Sequence, residues 1–295
     1  MWNDEYTEIN GIRIHYVRQG SGEKVILFLH GFPEFWYMWK DQLAEFGQDF
    51  TAMAMDMRGY NLSDKPASVD DYAMPRLIAD VKAMFDQFSQ GKKSVLVAHD
   101  WGGGVAWAFA LAHPEYLEKL IIINCPHPAA FARELRTNPA QQKASQYMLT
   151  FRAPHAEALL SANNFAGLAK AVFDSTTKAD AYTAADREAY LAAWAQPGAL
   201  TGGLNYYRAA RIGPPQPGTP LESVKTFAES PSWVVQVPTL IIWGEKDHAL
   251  VVNNLDGLES FIPDLTIKRI PTASHWVVHE EPQLVNQHMR EFLER

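Results

Sequence analysis

The segment Val95-Leu96-Val97-Ala98-His99-Asp100-Trp101-Gly102-Gly103-Gly104 carries the most chemistry in the chain. A short β-branched run stops at a small residue, a carboxylate stands two places on, and glycines open an apolar helical stretch. Strand, tight turn and helix in that order form a nucleophile elbow, with Ala98 and Gly102 in the small positions and Asp100 where serine ordinarily stands. A carboxylate there needs no deprotonation at neutral pH. It attacks saturated carbon and leaves an alkyl ester, which water must then cleave. An Asp before a glycine can equally cap the following helix. Partners for Asp100 decide between the two readings.

Two such partners lie downstream. Trp243-Gly244-Glu245-Lys246-Asp247-His248 follows one apolar run, and Ser274-His275-Trp276 follows the next. The resulting order of nucleophile, acid and histidine is that of α/β hydrolases. His275 would take a proton from water, while Asp247 fixes its tautomer and stabilises the imidazolium. Glu245 is a competing acid, and Asn124, at the end of the run 119–123, removes the other common position for one. Earlier in the chain, His30-Gly31-Phe32-Pro33 follows the run 25–29. A loop there can aim the Phe32 N–H at the same point as that of Trp101, making an oxyanion hole. Pro33 donates nothing and invites a cis peptide.

These groups need a scaffold. Residues 6–17 alternate around Asn10-Gly11, which predicts an opening hairpin. Apolar runs at 25–29, 51–55, 94–98, 119–123, 239–243 and 266–270 predict strands buried on both faces, as in a parallel sheet covered by helices. Helical spacing occupies 38–46, 75–88, 103–112 and 282–294. The alternation predicts a doubly wound, mostly parallel α/β sheet, which with the order of nucleophile, acid and histidine resembles the α/β-hydrolase fold. It breaks between Asn124 and Val237, where Ala, Gln, Tyr and Leu dominate and Asn138-Pro139 and Ala153-Pro154 punctuate helices. Residues 1–126 and 236–295 are therefore expected to form the core domain, and 127–235 a helical lid over the carboxyl ends of the strands. The loop 213–220, with four prolines, reads as a stiff connection within or below the lid.

Composition narrows the partners. The chain has 295 residues, 47% apolar and 20% charged, as in a soluble globular protein. A net charge of −8 argues against nucleic acid and anionic membranes. The lone Cys125 excludes an internal disulfide and fits a reducing compartment. The acidic start, Met1-Trp2-Asn3-Asp4-Glu5, lacks the features of a secretory signal, and no apolar run reaches membrane-spanning length. A cytoplasmic location is expected, with oligomeric state left open.

The set His30-Gly31-Phe32-Pro33, His99-Asp100-Trp101-Gly102-Gly103, Asp56-Met57-Arg58-Gly59-Tyr60, Asp247 and His275 resembles the epoxide hydrolases of the α/β-hydrolase superfamily, over essentially the whole chain. The resemblance implies conversion of an epoxide and water to a vicinal diol through an ester on Asp100. It also implies two lid tyrosines that protonate the epoxide oxygen. Tyr147, within Gln142-Lys143-Ala144-Ser145-Gln146-Tyr147 in the first long lid helix, matches one. Tyr207, in Leu204-Asn205-Tyr206-Tyr207-Arg208, matches the other. Neighbours on a helix diverge by about 100°, so Tyr206 and Tyr207 cannot both face inward. A phenol near its ordinary pKa of about 10 keeps its proton at neutral pH and can donate it. No metal or cofactor is expected, because His275 and the phenols leave one no task.

Related chemistries fit less well. Haloalkane dehalogenases share the Asp-Trp pair, but Phe32 offers no side-chain halide donor, and a tyrosine pair has no use with halide. Fluoroacetate dehalogenases call for arginine beside the nucleophile, where this chain has Trp101. A serine esterase lacks its serine. A ligand-binding relative without activity would be expected to have lost a triad member. The pocket is expected to be apolar, lined by His30, Phe32, Pro33, Trp101, Phe131, Met148, Phe151 and Phe165, and to suit aryl or alkyl epoxides.

Overall fold

The computed structural model describes residues 2–215 and 233–295. The apolar runs become strands β1 (Asn3–Ile9), β2 (Ile12–Gln19), β3 (Val25–Leu29), β4 (Thr51–Met55), β5 (Ser94–His99), β6 (Leu117–Ile123), β7 (Thr239–Gly244) and β8 (Leu265–Ile270). They form one sheet in the order β1-β2-β4-β3-β5-β6-β7-β8. The first two pair as a hairpin across Asn10-Gly11, and β2 runs antiparallel to β4. Every later pairing is parallel. Strands β3, β5 and β7 are buried along their whole length, as continuous apolar runs require. The last strand departs from that expectation. β8 is only partly buried because it forms the sheet edge, and Lys268 and Arg269 face solvent there beside Glu291 and Glu245.

Helices α1 (Lys40–Phe46), α2 (Met74–Phe88) and α3 (Asp100–Ala112) connect the first strands, and α10 (Val277–Glu280) and α11 (Pro282–Leu293) close the described chain. Between β6 and β7 lie α4 (Pro128–Thr137), α5 (Pro139–Ala144), α6 (Tyr147–Arg152), α7 (Ala156–Phe173), α8 (Ala184–Trp194) and α9 (Ala199–Ala210). The helical interruption is thus broken into short pieces. Asn138 caps α5 by accepting from Ala140 N, and Thr183 forms a capping box with Asp186 on α8. Contrary to the expectation of a first long lid helix, Tyr147 does not sit inside one. α5 ends at Ala144, the Gln141 side chain donates to Ser145 Oγ at 2.9 Å, and Tyr147 starts α6. Of the proline-rich loop, 213–215 is neither helix nor strand, and 216–220 lies outside the described residues. No helix among the described residues is long and apolar enough to cross a membrane.

Candidate active site

β5 delivers Asp100 at its carboxyl end, and the turn is as sharp as the small residues require. Asp100 has φ +48°, and a Cβ on Gly102 would stand 2.5 Å from the carbonyl oxygens of Leu29 and His30. The Asp100 side chain does not cap α3. Instead its Oδ1 accepts from Phe32 N at 2.8 Å, across the cis Phe32-Pro33 loop. Its Oδ2 lies 3.6 Å from His275 Nε2, a charge contact longer than a hydrogen bond.

His275 arrives from the loop after β8. Its Nδ1 meets Asp247 Oδ2 at 2.7 Å. Asp247 is held as a carboxylate by further donors: Ala249 N at 2.7 Å and Leu250 N at 2.9 Å on Oδ1, and Asn124 Nδ2 at 2.8 Å on Oδ2. Glu245, the competing acid, points to the surface and pairs with Arg269. Burial penalises charge on all three groups, yet the partners prevail. Burial would lower the His275 pKa, but the Asp247 and Asp100 carboxylates raise it well above the ordinary value. Burial would raise both carboxyls, but contact with His275 holds Asp100 and Asp247 below theirs. These directions favour an imidazolium between two carboxylates.

Two cavity arms meet over Asp100. A smaller one, about 60 Å³, runs past Trp101, Phe131, Met148, Ile212 and Leu250. A larger one, about 280 Å³, runs past Phe32, Pro33, Phe151 and His275. Tyr147 and Tyr207 line both arms, their ring centroids 6.2 Å apart. Tyr207 also packs edge-on against Trp101, with centroids 5.0 Å apart. Burial, reinforced by nearby negative charge that includes Asp100, pushes both phenols well above their ordinary range, so each keeps its proton. Tyr206 turns the other way. It is fully buried, and its hydroxyl donates to the Arg58 carbonyl at 3.0 Å.

Two residues expected at the cavity are elsewhere. His30 is buried behind the loop, where Nδ1 meets Gly31 O at 2.8 Å and Nε2 accepts from Met57 N at 3.0 Å. With both ring nitrogens engaged by backbone, it braces two loops and touches neither arm. Phe165 packs against Trp194 within the helical insertion, with centroids 6.0 Å apart.

The sequence reading also missed two groups. Asn124 appears there only as a position lacking an acid. In the structure its amide bridges the ends of β6 and β7, accepting from Gly244 N at 2.7 Å and donating to Asp247. The second is Glu34, next to Pro33. It is buried, lies 2.7 Å from His279 Nε2 and 3.0 Å from His99 Nδ1, and accepts from Tyr190 at 2.9 Å. Burial would raise its carboxyl, but the two histidines hold it far below the ordinary range. His99 in turn reaches the His275 carbonyl at 2.9 Å, so this cluster fixes the backbone that carries the base. A carboxylate directly after the loop proline was the available signal.

A carboxylate on a strained turn, with a histidine–acid pair behind it and an apolar cavity above, defines a hydrolase of the α/β class. The family model for the α/β hydrolase fold matches residues 24–282. An AB hydrolase superfamily protein of Bacillus subtilis (strain 168) is 40% identical, over 98% of this chain and 97% of that one. Epoxide hydrolase 1 of Caenorhabditis elegans is 36% identical, over 100% of this chain and 71% of its own. Among solved structures, a single-residue mutant of a Bacillus megaterium epoxide hydrolase superimposes with TM-score 0.90 at 38% identity, covering 99% of this chain and 100% of that one. It is complexed with its product, (R)-3-[1]naphthyloxy-propane-1,2-diol. The chain belongs to the α/β hydrolase family, among its epoxide hydrolases.

Proposed function

We propose that this protein hydrolyses apolar epoxides to vicinal diols through an alkyl ester on Asp100. The observation that carries the reading is the convergence of an ionised carboxylate and two proton-bearing phenols on one apolar cavity. Asp100 Oδ2 attacks one epoxide carbon from behind as its C–O bond breaks. The oxygen receives a hydrogen bond, then a proton, from Tyr147 or Tyr207, so no free alkoxide forms. The tyrosinate regains a proton as His275 gives one up.

That second transfer follows from the electrostatics. Esterification removes the Asp100 charge, one of the two that hold the imidazolium. His275 then becomes a neutral base with Asp247 still behind it. It takes a proton from water, which attacks the ester carbonyl carbon. The N–H of Phe32, already aimed at Oδ1, stabilises the resulting oxyanion together with that of Trp101. Collapse expels the diol, which takes the remaining proton, and restores carboxylate and imidazolium. Phe131, Met148, Phe151 and Pro33 contribute apolar contact, consistent with an aryl or alkyl substituent.

Incubation with styrene oxide tests the reading through appearance of the diol; a ligand-binding protein would release none. The two half-reactions should also separate with pH. Ester formation needs only ionised Asp100, whose pKa lies below its ordinary value of about 4. Ester hydrolysis needs neutral imidazole, and with Asp100 esterified the Asp247 carboxylate still holds the His275 pKa above its ordinary value of about 6.5. Lowering the pH from 8 toward about 5 should therefore leave alkylation fast and slow hydrolysis, so that ester accumulates in quenched samples analysed by mass. Parallel loss of both steps would contradict this division of labour.

A further inference from the structure

α3 carries three consecutive glycines, Gly102, Gly103 and Gly104, in its first turns, and two of them have a packing reason. A Cβ on Gly102 would collide with the Leu29 and His30 carbonyls, and one on Gly103 would stand 2.4 Å from the Cys125 Cβ. Gly104 has no such reason. A Cβ there would meet only Trp101 Cε3, at an ordinary 3.9 Å. The position is inside a helix, where glycine is less favourable than alanine. Its open side is the wall of the smaller cavity arm.

We propose that Gly104 is a specificity-determining residue: the space left by its missing side chain lets the smaller arm accept a substituent on the second epoxide carbon. This rests on the epoxide hydrolase reading above. Both arms share Asp100, Tyr147 and Tyr207. With the oxirane oxygen at the phenols and one carbon at the carboxylate, groups on the two carbons point into different arms. The larger arm takes the bulkier group. About 10–15 Å³ of such space holds one water, so the arm of about 60 Å³ admits a short alkyl chain. A leucine side chain at 104 would fill it. The chain is therefore suited to epoxides substituted on both carbons, and not to terminal ones alone.

The test compares wild type, Gly104→Ala and Gly104→Leu on styrene oxide and on its trans β-ethyl derivative, which share the aryl group and differ in the second substituent. The readouts are the ratio of the two kcat/KM values and the thermal midpoint. The ratio of disubstituted to terminal substrate should fall by roughly tenfold or more in Gly104→Leu, with Gly104→Ala between, as expected when a pocket loses room for a methylene or two. The midpoint of Gly104→Ala should match or exceed that of wild type. Equal losses on both substrates, or a lowered midpoint for the alanine variant, would overturn the proposal by showing that Gly104 serves the elbow or the packing. Wild type that opens only styrene oxide overturns the role of Gly104 and leaves the functional reading standing. Wild type that opens neither epoxide sinks both.

Discussion

His275→Ala protein mixed with excess epoxide should gain the mass of one whole epoxide per chain and then stop. Alkylation does not need the imidazole as a base: the Asp100 carboxylate is itself the nucleophile, and Phe32 N still holds its Oδ1 at 2.8 Å. Hydrolysis does need it, since the His275 ring faces the Asp100 carboxylate at 3.6 Å with the buried Asp247 behind it, placed to take a proton from water at the ester. A general base contributes about 10²–10⁴-fold, so steady-state diol formation should fall by at least that factor while the adduct persists. Asp100→Asn should take up no epoxide. An Asp247→Asn variant should resemble His275→Ala in milder form, because the imidazole keeps its place but loses the charge that supports its protonated state. Intact-protein mass spectra taken over time distinguish these outcomes. A His275→Ala protein that neither turns over nor gains mass would place the histidine in the first step.

The second large effect belongs to the phenols. Tyr147→Phe or Tyr207→Phe should each slow ring opening and leave residual turnover, because the other phenol lines the same two arms. The double variant should lose more than the ~10²–10⁴-fold typical of one general acid, since nothing then meets the developing alkoxide. The loss should fall on adduct formation, measured in single turnover, and not on adduct breakdown. Tyr206→Phe is the contrast. Its hydroxyl ties α9 to the Arg58 carbonyl, so its removal should cost stability, about 1 kcal/mol for one hydrogen bond, and leave the order of the chemical steps intact. A double variant with wild-type turnover would reduce both tyrosines to packing.

The elements that position the site were readable because each follows from local chemistry. Strands buried on both faces announce themselves as continuous apolar runs, and 25–29 and 51–55 match β3 and β4 residue for residue. The elbow was readable because close approach of α3 to β3 demands a glycine at 102. Legibility failed where a side chain's direction depends on a distant partner. His30 stands next to the oxyanion loop in sequence, but two backbone groups capture its ring. Asn124 lacks a charge, so nothing local marks it as the amide that joins Asp247 to the end of β6. The insertion was visible as helical, but its breaks were not, because a junction such as Ala144 to Tyr147 depends on where the Gln141 side chain is held. That side chain accepts from Val251 N and Asn254 in a segment 110 residues away in the chain.

The central claim is that Asp100, and not water, attacks the epoxide. Its most direct test is a single turnover, with enzyme in excess, in heavy-oxygen water. Water that attacks the ester carbonyl leaves its oxygen in the aspartate, while the first diol carries away an oxygen that belonged to Asp100. The account predicts heavy oxygen in the peptide containing Asp100 and an unlabelled first diol. Heavy oxygen in that first diol, with none in Asp100, would show that water opens the ring directly and would contradict the account.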